Sequence, residues 1–167
     1  HRALIFGLLS VGATDIEGLL EGEDVLHTAD VCRALGARVE RRGEGRWRVV
    51  GCGVGSLLQP KGDLYFGNSG TGMRLMMGVV GGHPLTARFD GDASLRKRPM
   101  RRILDPLELM GVETVSQAEG GRCPLVVKGT AEPIPIEYRS PVASAQVKSA
   151  ILLAGLNSPG RTTVVEP

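Results

Sequence analysis

The sequence predicts an α/β or α+β domain in which helices gather inside a ring of mixed sheets. Helical and strand-like patterns alternate along the chain, and glycine-rich turns, drawn from 24 glycines in 167 residues, separate them. The pattern then restarts. Ala34-Leu-Gly-Ala-Arg-Val39 matches Leu109-Met-Gly-Val-Glu-Thr114, and Gly45-Arg-Trp-Arg-Val-Val-Gly51 matches Gly121-Arg-Cys-Pro-Leu-Val-Val-Lys-Gly129. Gly36 and Gly111 set the period at 75 residues. So long a repeat implies supersecondary units packed on one another rather than a solenoid of short turns. The length suits one domain with a sizeable core.

In the first unit, Leu4, Leu8 and Leu9 mark a helix face beside Ile5 and Phe6, with Gly12 as its stop. Ile16, Gly18 and Leu20 alternate with Asp15, Glu17 and Leu19, which predicts a strand over 14–20. Asp24 is placed to cap a second helix, with Val25, Ala29, Cys32 and Leu35 inward and Gly36 at its end. Strands over 37–41 and 47–50 follow, joined at Gly43-Glu-Gly45. In the second unit Leu64, Tyr65 and Phe66 close a strand at Gly67, and Asn68 or Ser69 caps a helix over 70–80. A strand over 85–90, a helix over 102–110 and strands over 112–115 and 123–127 complete it, with Pro99 in the first turn of that helix. The third unit opens at Ser140, continues in a helix facing inward through Val147, Ala150, Ile151 and Ala154, and reaches a strand over 161–165. The units thus run over about 1–60, 61–130 and 131–167, the third incomplete.

Composition narrows the function classes. The net charge is +2, so any surface for an acidic partner must be local. Cys32, Cys52 and Cys123 are too scattered for a disulfide framework or a zinc site, and a reducing, cytoplasmic compartment is expected. His27 and His83 stand alone, His1 is a chain end, and there is no GxSxG elbow, so neither metal nor serine-hydrolase chemistry is expected. Asp15, Glu17, Glu21, Glu23 and Asp24 are expected to be surface and capping acids. No apolar run reaches membrane-spanning length. The chain opens at His1-Arg2 directly on a helical pattern and ends at Val165-Glu-Pro167, which suggests a piece of a longer polypeptide.

Chemistry concentrates at helix starts. Asn68-Ser-Gly-Thr71 offers a cap and a bare glycine where helix N–H groups can meet an anion. Five of the seven residues over Arg96–Arg102 are basic, an unfavourable charge for a helix N-terminus unless an anion is held there. Ser140-Pro-Val-Ala-Ser-Ala-Gln-Val-Lys148 combines hydroxyl, amide and ammonium groups suited to a phosphorylated, polyhydroxylated molecule.

Gly67-Asn-Ser-Gly-Thr-Gly-Met-Arg-Leu75, Gly91-Asp-Ala-Ser-Leu-Arg-Lys-Arg-Pro-Met100 and Ser144-Ala-Gln-Val-Lys-Ser-Ala-Ile-Leu-Leu-Ala-Gly155 together resemble the 5-enolpyruvylshikimate-3-phosphate synthases, as do His1-Arg-Ala-Leu4 and Leu19-Leu-Glu-Gly-Glu-Asp-Val25. The wording around Ala145-Gln146 is similar to the bacterial class II subgroup, which includes glyphosate-tolerant members. The resemblance spans the chain and implies βαβαββ units around a pseudo-threefold axis, forming most of the N-terminal domain of a two-domain enzyme. It implies enolpyruvyl transfer from phosphoenolpyruvate to the 5-hydroxyl of shikimate 3-phosphate, by addition and elimination, without a cofactor. By position, Arg2, Ser144, Ala145 and Gln146 would hold shikimate 3-phosphate, while Gly70 and Arg98 would hold phosphoenolpyruvate or the inhibitor glyphosate. Asn68, Thr71 and Lys148 are further candidates. The family's usual alanine is Ser69 here, and Gly70 retains the form expected to be glyphosate-sensitive. The Gly-Ser-Lys-Ser motif and the C-terminal domain with its proton-transfer residues are not in this sequence, so no catalytic residue is assigned and the chain alone is expected to be inactive.

Two alternatives fit less well. The related transferases acting on UDP-N-acetylglucosamine carry a cysteine in a loop near the place of Gly91–Arg98, where this sequence has none. A nucleic-acid or polyanion binder built on Arg96–Arg102 would want interleaved aromatics, but the whole chain has three Phe, two Tyr and one Trp.

Overall fold

Five helices pack against three small sheets in the computed structural model, which describes residues 1–167. The first unit comprises α1 (Arg2–Leu9), β1 (Val11–Ile16), α2 (Glu23–Ala34), β2 (Arg38–Gly43) and β3 (Arg46–Cys52). The second comprises β4 (Leu64–Tyr65), α3 (Gly70–Gly81), β5 (Thr86–Asp90), α4 (Arg101–Leu109), β6 (Glu113–Ala118) and β7 (Arg122–Lys128), with one 3-10 turn at Leu95–Lys97. Then come β8 (Glu137–Arg139), α5 (Ala145–Gly155) and β9 (Thr163–Val165).

One wiring plan recurs. The first sheet has the order β1-β3-β2 and the second β4-β5-β7-β6, so β1 and β5 each lie beside the last strand of a hairpin. These pairs are antiparallel, whereas β4–β5 and β8–β9 are parallel and joined through α3 and α5. Period-2 burial holds in β7, where Cys123, Leu125 and Val127 face inward. The apolar faces of all the units merge into one cluster of 40 buried residues, so the units share a core rather than stacking as separate bodies.

The helix α3 lies at the centre. Apart from Thr71 and Arg74, all its residues are buried, as expected of a helix that is apolar almost all round. It crosses α5 closely: a Cβ at Gly78 would overlap the carbonyl oxygen of Ala150, and one at Gly82 would stand 2.9 Å from Ala154 O. Small residues spaced four apart on both helices let the backbones approach.

Several elements differ from expectation. The strand β1 occupies 11–16 rather than 14–20, because Ser10 ends α1 and pairing with β3 begins at Val11–Cys52. Gly12 is therefore a strand residue, and Gly18, at φ +73°, turns the chain away before Leu20, which is exposed. Gly22, not Asp24, is the N-cap of α2; Asp24 lies in its first turn and contacts the His1 ring at 3.2 Å. Met100 caps α4, which leaves Pro99 outside the helix. The strand β8 is too short, at three residues, to carry a periodicity in sequence, and it exists by pairing with β9. Glu21 is no idle surface acid. It accepts hydrogen bonds from Arg41, the Trp47 indole and Gly45 N–H, clamping the 17–22 loop to the β2–β3 turn. The Arg41 hydrogen bond, then that of Trp47, draw its carboxyl down to about 2.

The histidines serve packing. His27 meets the Tyr65 ring edge-on at 5.2 Å. The buried His83 donates from Nδ1 to Val79 O at 2.7 Å and accepts the Gly55 N–H on Nε2 at 2.8 Å, which requires the neutral ring.

Two predictions follow from this packing. Replacing Gly78 by Ala improves helix propensity by about 1 kcal/mol but forces overlap with backbone that cannot swing away, costing about 1–3 kcal/mol. Gly78→Ala should therefore lower the urea midpoint of unfolding. Burial holds His83 below the usual imidazole pKa. A depressed folded-state pKa means that the unfolded chain binds the proton more readily. This contribution to stability is whole above the unfolded value near 6.5 and is lost as pH falls below it, and the loss between pH 7 and 5 should be smaller in His83→Gln.

Candidate functional site

The ends of two helices and one loop build the site. At the start of α3, Ser69 Oγ accepts the Gly72 N–H at 3.0 Å, and Gly70 N–H goes to Asn68 O at 3.0 Å. At the start of α5, Ser144 Oγ accepts the Val147 N–H at 3.3 Å. Thr71 on α3, and Ala145 and Gln146 on α5, retain backbone N–H groups without protein acceptors. Each helix thus presents free donors at its positive dipole end.

The basic run divides in two. Arg96 is structural: its guanidinium makes a bidentate pair with the buried Asp90 at 2.9 and 2.6 Å. That hydrogen bond holds the Asp90 carboxyl below the usual range. Arg101 is structural too, bridging Asp105 and Glu108 on its own helix. Arg98 and Arg102 have no acidic partner, and the Arg98 guanidinium makes one hydrogen bond, to Ser94 Oγ at 3.4 Å. Asp92 anchors the intervening turn by accepting the Leu95 N–H at 2.8 Å, which holds the loop that carries Arg98.

A third unpaired guanidinium joins them from α3. Arg74 Nη1 donates to Gln146 Oε1 at 2.8 Å, and Gln146 Nε2 donates to Thr71 Oγ1 at 2.9 Å. Burial first, then the positive charges of Arg98 and Arg102, lower the Arg74 pKa. A Cβ at Gly70 would meet Arg74 Nη1 at 2.9 Å and Arg98 Nη1 at 3.0 Å, so both guanidiniums lie over that glycine. A cavity of about 370 Å³ opens beside them, lined by Arg74, Pro99, Arg102, Ile103, Ser144, Gln146 and Val147. No carboxylate, imidazole or thiol lines it. Its residues can hold and orient anionic oxygens but offer no general base at neutral pH.

The other sequence candidates lie further out. Arg2 donates to Ser149 Oγ at 3.1 Å beside a smaller apolar cleft of about 150 Å³ between α1 and α5. Ser149 lies on the same helix as Gln146, one turn further along. Asn68 is exposed and contributes its carbonyl to the turn. Lys148 is committed to Glu166 at 2.7 Å. The structure therefore joins Gly70, Thr71, Arg98, Ser144, Ala145 and Gln146, with Arg2 at one side and Lys148 engaged elsewhere. The sequence marks Arg102 only as a member of the basic run and does not single out Arg74. The signal for Arg74 was present: it is the one charged residue of α3 and stands four residues after Gly70, on the same helix face.

Comparison with known proteins shows the family. Residues 1–167 match the family model described as EPSP synthase (3-phosphoshikimate 1-carboxyvinyltransferase). The chain is 70% identical over 166 residues to the 3-phosphoshikimate 1-carboxyvinyltransferase of Methylorubrum populi, and 66% identical to that of Bradyrhizobium sp. strain BTAi1. In each case 99% of this chain is covered but 37% of the relative, so the chain spans little more than a third of their length. A solved EPSP synthase from Acinetobacter baumannii superposes on the whole chain with a TM-score of 0.95 and 44% identity, over 38% of its own length. With the family model matching from first residue to last, the chain belongs to the EPSP synthase family.

Proposed function

We propose that this chain forms most of the N-terminal domain of a two-domain enzyme that transfers the enolpyruvyl group of phosphoenolpyruvate to the 5-hydroxyl of shikimate 3-phosphate. In that reaction the hydroxyl gives up its proton as its oxygen bonds to C2 of phosphoenolpyruvate and a proton adds to the methylene carbon. Loss of a proton from the resulting methyl group and of phosphate from C2 then restores the double bond and leaves the enol ether. Both substrates are polyanions. The observation that carries the proposal is the set of unpaired guanidiniums, Arg74, Arg98 and Arg102, beside two helix starts with free N–H groups. Ser144, Ala145 and Gln146, with Arg2 at the edge, take shikimate 3-phosphate. Gly70 and Arg98 take phosphoenolpyruvate, and glyphosate competes there. The partner domain supplies the proton-transfer groups, in keeping with a cavity wall that lacks any base. We place the enzyme in the cytoplasm, a compartment that suits three free cysteines.

The sister reaction on UDP-N-acetylglucosamine finds no support, because the loop over 91–99 has no cysteine and Cys123 is buried in β7.

Titration of the ¹⁵N-labelled chain with shikimate 3-phosphate should shift the amides of Ser144, Ala145 and Gln146, and later addition of glyphosate should shift Gly70. Arg98→Ala should weaken the glyphosate step by about tenfold or more while leaving the first step nearly unchanged, as expected for loss of a charge-assisted contact. Shifts produced equally by any polyanion, and abolished by modest salt, would instead indicate a nonspecific basic surface. Phosphate release from the two substrates should stay at background with the isolated chain, and turnover by it would overturn the assignment of proton transfer to the partner domain.

A further inference from the structure

Arg74 contributes positive charge to the proposed site but is assigned to neither substrate, yet the polar contacts of the site run through it. Its Nη1 donates to Gln146 Oε1, and the same carboxamide donates from Nε2 to Thr71 Oγ1. A guanidinium can only donate, so it accepts one orientation of that amide: with the group reversed, two donors would face each other. Thr71 and Arg74 are the two residues of α3 that escape full burial, and both are spent on Gln146. An independent observation comes from Gly70. The Arg74 nitrogen that holds Gln146 also lies against the open face of this glycine, 2.9 Å from where a Cβ would stand, with Arg98 at 3.0 Å. Both atoms are the far ends of flexible side chains, so a methyl group there displaces guanidiniums rather than unfolding the helix, which alanine otherwise favours. Joining two helices does not require a half-buried cation without a counter-ion, since an uncharged pair would serve with less desolvation.

We infer that Arg74 is a positioning residue: it holds the Gln146 carboxamide in one orientation at the cleft and couples it to Gly70, so that a side chain introduced at position 70 acts on Gln146 through Arg74. The inference rests on the proposed function for the identity of the ligand alone, because the coupling exists in the unliganded protein.

The test reads the side-chain NH₂ pair of Gln146 in the ¹⁵N-labelled chain, identified by its disappearance in Gln146→Glu. In the unliganded protein this pair should be shifted from free-glutamine positions and slow to exchange with solvent. Arg74→Met should return it toward free values, and Arg74→Lys, which keeps one donor, should restore part of the shift. Gly70→Ala should move the pair in the wild-type background and leave it unmoved in Arg74→Met. Binding of shikimate 3-phosphate should weaken about tenfold in Arg74→Met, with thermal unfolding within a few degrees of wild type. An unchanged Gln146 pair in a folded Arg74→Met chain, or an equal effect of Gly70→Ala in both backgrounds, overturns the inference. If Arg74→Met does not fold, the Gln146 shift in Arg74→Lys and Gly70→Ala decides, and two unmoved spectra reject the coupling. Failure of the wild-type chain to bind shikimate 3-phosphate would count against the proposed function, while the ligand-free signals would still decide the role of Arg74.

Discussion

The close crossing of α3 on α5 is the constraint on which the rest depends. Gly78 and Gly82 leave room for the backbone at Ala150 and Ala154, and no other residue could stand at Gly78 without overlapping a carbonyl oxygen. That approach fixes how the two helices lie against each other along their length. Nearer their N-termini, it brings Thr71 and Arg74 within hydrogen-bond distance of Gln146. A glycine contact in the apolar core thus sets the spacing of a polar cleft at the surface. Packed interiors transmit such constraints because they have little room to relax.

Charge is distributed by a second rule. Arginines that tie loops and strands have carboxylate partners: Arg41 with Glu21, Arg48 with Asp15, Arg96 with Asp90 and Arg101 with Glu108. Those around Gly70 and Gln146 have none. Surface ion pairs contribute little to stability, so the pairing matters here less for its energy than for which cations it leaves over. The charges of Arg98 and Arg102 bear on Arg74 with no carboxylate to offset them, and under the proposed function a bound polyanion would relieve that repulsion.

The repeated wiring explains why those cations meet. A parallel crossover, β4-α3-β5, recurs as β8-α5-β9, and each such unit presents a helix start at the same level of the fold. Units packed around a shared core therefore bring equivalent helix ends together, and their dipoles add where they converge. The loop after β5 lays Arg98 across that point, anchored at one end by Arg96 on Asp90 and in its turn by Asp92 on Leu95 N–H.

The sequence alone determined the fold class and the inward faces of the helices, and it narrowed the cap of α3 to Asn68 or Ser69, because these depend on periodicity and on local hydrogen bonding that a few neighbouring residues settle; the fold chose Ser69. Local pattern also marked the turn over 68–71, the basic run over 96–102 and the segment over 140–148, while the choice of Gly70, Arg98 and Gln146 within them came from the family resemblance. Tertiary structure decided what spacing cannot encode. The extent of β1 and the existence of β8 were set by partner strands, at Cys52 and Val165 respectively. Arg96 and Arg98, two residues apart in one basic run, were given opposite duties by the position of Asp90. Lys148, attractive beside Gln146 in sequence, was claimed by Glu166 across 18 residues. Arg74, the one charged residue of α3, links Gly70 and Gln146 only in the fold, through a contact spanning 72 residues that depends on how closely two helices cross.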